Sequence, residues 1–118
     1  MEKKTKEEEL RHDLIRQMCA FQNGVMTYYR LFTTLDRNDR LYFGSVLFEL
    51  CGVIGAALKA DYPDQAGQMI VVEDSLCELD ACDPHEIPGD CEYHDKFLSI
   101  FDTISEIKTE ADIDYNEL

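Results

Sequence analysis

Leu14, Met18, Phe21, Val25, Tyr28, Phe32 and Leu35 follow one another at alternating intervals of four and three residues. A helix brings residues at that spacing onto one side, whereas a strand would scatter them over two faces. The stripe predicts a long first helix that must bury one face against other helices. Its coiled-coil-like period also makes it a candidate homodimer seam. Gly24 interrupts the stripe's flank at a cost of about 1 kcal/mol relative to alanine, which predicts either a bend or a closely packed neighbour. Residues 1–9 form a charged lead-in.

The rest of the chain supplies three further helices. Asp36-Arg-Asn-Asp39 is a polar break with capping residues, and helix two runs from about 37 to 60. Apolar residues occur nearly all round helix two, which marks it as the most buried element, the one against which the other stripes pack. Gly44, Ser45, Gly52, Gly55, Ala56 and Ala57 thin its surface for close approach. Leu41 to Leu58 is eighteen residues with a single charge, Glu49. That length is marginal for a membrane span, and a mid-span Glu costs about 2–3 kcal/mol in lipid. A core helix wrapped by three others is the expectation.

Pro63 suits the first turn of helix three, whose stripe is Met69, Val72, Leu76 and Leu79. Pro84, Pro88 and Gly89 break residues 80–90 into a loop. Helix four begins near Asp90 or Cys91, with Tyr93, Phe97, Ile100, Phe101, Ile104 and Ile107 on its apolar face. Residues 109–118 are an acidic, loosely docked tail. The pattern predicts a single all-α domain over 1–118, a four-helix antiparallel bundle with short connections. Leu47→Asp should unfold it by placing an unpaired carboxylate in the core.

Charge is divided unevenly along this fold. Residues 61–118 carry seventeen acids and two bases, Lys96 and Lys108, while residues 1–60 hold eight acids and nine bases. The net charge of −14 is therefore made by the second half. Such a field disfavours direct contact with nucleic acid or an anionic membrane and favours a basic protein. Solubility alone needs only about −2 to −8 on a small domain. The candidate binding residues are Asp80, Asp83, Glu86, Asp90, Glu92 and Asp95, with Asp102 and Glu106 on helix four. Tyr93 and Tyr115 are the aromatic hot-spot candidates of the acidic half.

Cys82-Asp-Pro-His85 and Cys91-Glu-Tyr-His94 together read C-x2-H-x5-C-x2-H. Two i,i+3 pairs of borderline-soft ligands can supply two edges of a zinc tetrahedron, so Cys82, His85, Cys91 and His94 are candidate ligands of a structural zinc. The five-residue spacer is much shorter than in the common zinc finger. Chance spacing, or a Cys82–Cys91 disulfide, accounts for the same residues. The surrounding carboxylates do not fit an EF-hand, since the twelfth position counted from Asp80 is Cys91 rather than Glu.

The sequence contains no Gly-rich phosphate loop, no G-x-S-x-G and no H-E-x-x-H. A Cys91/His94 pair could be drawn as nucleophile and base, but neighbouring carboxylates would raise the thiol pKa. The expectation is a protein that is not an enzyme and needs no cofactor beyond the candidate zinc. The five cysteines and the charged, signal-free N-terminus point to a reducing, cytoplasmic compartment.

Small size, acidity and helical character resemble phage- or plasmid-encoded inhibitor proteins such as anti-CRISPR and DNA-mimic proteins. The likeness is one of type and brings over no functional residue. It implies a protein-binding inhibitor that offers carboxylates, in place of phosphates, to a basic nucleic-acid-binding site. Two other readings fit the same residues: an immunity protein or chaperone for a cationic toxin or effector, and a small metal-binding or self-associating scaffold.

Overall fold

Thr5 opens the first helix, its Oγ1 accepting from the Glu8 backbone N–H at 3.1 Å. The computed structural model describes residues 5–82 and 93–117. Over these it contains α1 (Lys6–Leu31), α2 (Arg37–Leu58), α3 (Pro63–Asp80) and α4 (Tyr93–Glu110), then a short 3-10 turn over Tyr115–Glu117. Three acids in the first turn of α1, Glu7, Glu8 and Glu9, complement the positive end of its dipole. Asp36 caps α2 by accepting from the Asp39 N–H at 2.8 Å, and Pro63 occupies the first turn of α3, where a missing N–H costs nothing.

The helices form an antiparallel ring in which α1 packs on α2, α2 on α3, α3 on α4 and α4 on α1. Antiparallel order is visible in the pairs that meet. Gly44 lies against Asp80 and Gly55 against Met69, so the start of α2 meets the end of α3. Gln68 reaches Glu106 and Lys96 reaches Glu78, so α4 runs back along α3. The chain is an all-α, four-helix bundle.

The α1 stripe is the centre of the core. Ile15, Met18, Phe21, Val25 and Tyr28 are fully buried, facing Ile54 and Leu58 of α2, Leu76 of α3, and Phe97 and Ile104 of α4. The stripe offered by the sequence as a dimer seam is therefore buried within its own chain. Helix α1 ends at Leu31, earlier than the stripe; Phe32 and Leu35 follow in a turn, yet Phe32 is still fully buried.

Two expectations are overturned. Helix α2 is not wrapped by the other three. It occupies one corner of the ring, meets α1 and α3, and has 28% of its most apolar eighteen-residue window buried. Its apolar composition, with mean hydropathy 1.8 over that window, makes it long and apolar enough to cross a membrane by length and composition. A narrow strip, Leu47, Cys51, Ile54 and Leu58, is what the core takes from it.

The tail is not loosely docked either. Ala111 and Ile113 are buried, and Tyr115 is half-buried with its hydroxyl donating to Gln22 Oε1 of α1. Arg11 donates to the Asp112 carbonyl and lies 3.6 Å from Glu117. The turn that sends the tail back onto α1 is a Schellman motif. Ile113 N–H donates to Lys108 O at 2.8 Å and Asp112 N–H to Thr109 O at 3.3 Å, with Asp112 in the left-handed region at φ 54°.

Candidate protein-interaction surface

The acidic residues of α3 and α4 ride on rigid helices whose opposite faces fill the core. Along α3, Met69, Val72, Leu76 and Leu79 point inward, which leaves Asp74, Glu78 and Asp80 outside. Along α4, Phe97, Ile100, Ile104 and Ile107 do the same for Asp95, Asp102 and Glu106, all exposed. Fixed backbone and exposed carboxylates give a surface that is negative and pre-organised. Cross-links steady it: Gln68 Nε2 donates to Glu106 Oε2 at 2.9 Å, and Lys96 Nζ to Glu78 Oε2 at 2.8 Å. Because both pairs are exposed, each contributes little to stability, within about 1 kcal/mol.

Of the binding candidates, Asp80, Tyr93, Asp95, Asp102 and Glu106 are described. Asp83, Glu86, Asp90 and Glu92 lie outside the described residues, as do the candidate zinc ligands His85 and Cys91. Asp80 is the odd member of the set. Its Oδ1 lies 2.7 Å from where a Cβ on Gly44 would stand, so a side chain at Gly44 would collide with it. Burial against α2 holds its carboxyl above the usual carboxylate range.

Tyr93 is half-buried. Its ring packs 4.8 Å from the centroid of Phe32 and 4.1 Å from His94, at the edge of an aromatic cluster that includes Tyr28, Tyr29, Phe43, Phe97 and Phe101. Tyr115 is likewise engaged, with Lys108 Nζ 3.9 Å from its ring centroid. His94 Nδ1 and Tyr29 Oη are 2.9 Å apart, so one nitrogen of this zinc candidate is taken by a phenol. Among the described residues no group of three or more His, Cys, Asp or Glu is arranged to hold a metal ion.

Other polar groups lie deeper. Tyr28, fully buried, donates its hydroxyl to the Arg40 carbonyl at 3.2 Å, and burial and the negative charge of Asp80 raise its pKa. Arg40 is itself buried; its Nη1 donates to Leu35 O at 3.0 Å and its guanidinium lies 5.6 Å from the Phe32 ring centroid. The Cys51 thiol donates to Met69 O at 3.2 Å and is pushed up to about 12 by burial, then by Glu73. Burial and the charges of Asp80, Asp74 and Glu73 also raise the exposed Cys77 thiol. Neither thiol is an activated nucleophile at neutral pH.

Sequence reasoning missed the outer face of α2. Tyr42, Val46 and Val53 repeat at four and seven residues, share one side of the helix, and are exposed at 72%, 47% and 49%. Phe48 and Leu41 are exposed on a separate stripe of α2, and Ile70 is exposed on α3. The signal was present in the sequence: a helix apolar all round has more apolar surface than its two neighbours in a ring can cover.

No protein-family model matches the chain, and no curated protein or solved structure matches it either.

Proposed function

We propose that this chain is a non-enzymatic inhibitor that binds another protein, offering the acidic surface of α3 and α4 to a basic, nucleic-acid-binding site and so denying that site to its ligand. The observation that carries the reading is the arrangement of charge. Seventeen acids against two bases lie in residues 61–118, and of these Asp64, Asp74, Glu78, Asp80, Asp95, Asp102, Glu106 and Glu110 stand exposed on two rigid helices. A field of one sign on fixed positions speeds encounter with a basic partner and discriminates against anionic ones.

The test is recovery of partners from host lysate with tagged protein at about 50 mM and about 500 mM salt, with identification by mass spectrometry. The expected result is a basic nucleic-acid-binding protein, held at low salt and released at high salt. Its nucleic-acid affinity should fall in the presence of this chain. Reversing Asp95, Asp102 and Glu106 to Lys should weaken the complex while the helical content stays unchanged. Undiminished binding by that variant would sink the acidic-surface reading.

A further inference from the structure

We propose that the outer face of α2, bordered by Ile70 of α3, is a docking groove for a basic amphipathic helix of the partner protein. The proposal rests on the reading above that the partner is basic, and adds which surface meets it and what kind of segment fits.

Three observations lead to it. The first is apolar area. Tyr42, Val46 and Val53 line one side of α2, exposed to solvent; Ile70 follows Met69, which meets Gly55 of α2, and is 59% exposed. Grouped exposed apolar side chains of this kind mark contact surfaces, whereas scattered ones do not. The second is shape. Ser45, Gly52 and Ala56 are exposed on the same part of α2 and carry little or no side chain, so a second helix can approach its backbone closely.

The third is charge, and it selects the occupant. Between Leu41 and Leu58 the one charge is Glu49, at the middle of the face. On the neighbouring α3, which has no basic residue, the carboxylates of Glu73 and Asp80 meet α2. Glu73 reaches over Gly52, its carboxylate 3.6 Å from where a Cβ there would stand. An apolar floor with an acidic border complements a helix that has an apolar stripe and Lys or Arg on its flanks. A second copy of this chain would bring its own Glu49 and Glu73 against the same carboxylates. An anionic lipid surface would be repelled in the same way, and nucleic acid has no apolar stripe to fill the floor.

The probe is a synthetic Leu/Lys peptide of about 18 residues with leucines at i, i+3, i+4 and i+7 and one Trp on the apolar face. The chain has no Trp, so the peptide fluorescence reports alone. A blue shift is expected on binding, with affinity about tenfold above that of a scrambled peptide of the same composition. Replacing Val46→Gln and Val53→Gln together should remove about tenfold of that affinity without altering the field. Both sites are on the solvent side of α2, and circular dichroism checks that the fold is kept.

Equal binding of the two peptides, or full affinity in the double variant, would overturn the groove. So would a dimer of the chain alone that the double variant dissociates, since a second copy would then hold the face. Binding of the chain to zwitterionic vesicles, lost in the double variant, would assign the face to lipid instead. Failure here is separable from failure of the functional reading. A basic partner captured equally by the double variant overturns the groove alone. Peptide binding as expected, with no basic partner in lysate, supports the groove and overturns the inhibitor reading.

Discussion

Gly24 of α1 and Leu47 of α2 approach so closely that a Cβ on the glycine would stand 2.8 Å from Leu47 Cδ2. This contact explains a glycine inside a long helix: the propensity cost of about 1 kcal/mol is offset by the close crossing it allows. Leu47 is buried, so it has little room to retreat. Gly24→Val should destabilise the fold by about 1–3 kcal/mol in urea unfolding, the range of core overpacking. The same substitution in a Leu47→Ala background should cost less, because the clash is gone; equal cost in both backgrounds would refute the account.

Asp112 holds the turn after α4 in a left-handed conformation that disfavours residues with a side chain. The Arg11 contact uses its backbone carbonyl, so the side chain is dispensable there. Asp112→Gly should raise stability by about 0.5–1 kcal/mol, and Asp112→Val should lower it by about 1–2 kcal/mol, read as shifts in the urea midpoint.

Tyr115 ties the tail to α1 through Gln22, and burial pushes its phenol up to about 12 from an ordinary 10.0. Between those values the unfolded chain ionises this group while the folded chain keeps its proton. Its contribution is therefore complete below about pH 10 and is lost as pH rises toward 12. The phenolate difference spectrum between wild type and Tyr115→Phe should place this group's titration near pH 12. Titration near pH 10 would mean that the tail is not docked. Tyr115→Phe should also cost about 1 kcal/mol through the lost hydrogen bond.

Cys51 and Cys77 should separate cleanly in alkylation. Cys51 is fully buried and pushed up to about 12, so in native protein it should remain unlabelled while exposed Cys77 reacts slowly. Adding urea should bring Cys51 to the rate of an ordinary thiol. Rapid native labelling of Cys51 would mean that α2 opens away from α3.

Asp80 should make stability rise as pH falls. Its carboxyl is held above the usual range, so through the interval between unfolded and folded values the folded chain binds the extra proton. The penalty for the charged form is present at neutral pH and is relieved on acidification. Asp80→Asn should be at least as stable as wild type at pH 7, and the difference between them should shrink toward pH 4, as followed by urea unfolding.

The fold was largely legible because helical spacing is local. The stripes of α1, α3 and α4, the Asp36 cap and Pro63 each lie within a few residues of the feature they specify. The candidate surface was legible only in part. Asp95, Asp102 and Glu106 were found because α4 has one clear apolar face, and whatever is off that face is exposed. The packing of Tyr93 was not legible because Phe32, which its ring meets, is distant in sequence. The tail was misjudged for the same reason: Gln22 and Arg11, which hold it, lie about ninety or more residues away.

By itself the sequence determined that the chain is helical, where α2 and α3 begin, which side of α1, α3 and α4 turns inward, and that its second half carries the negative field. Periodicity, capping and composition are properties of neighbouring residues, and they survive without knowledge of the fold. Only the tertiary structure decided how the apolar surface of α2 is divided. A helix apolar all round gives no preferred face, so the ring of four, in which α2 touches two neighbours, chose which strip to bury and left Tyr42, Val46 and Val53 facing solvent.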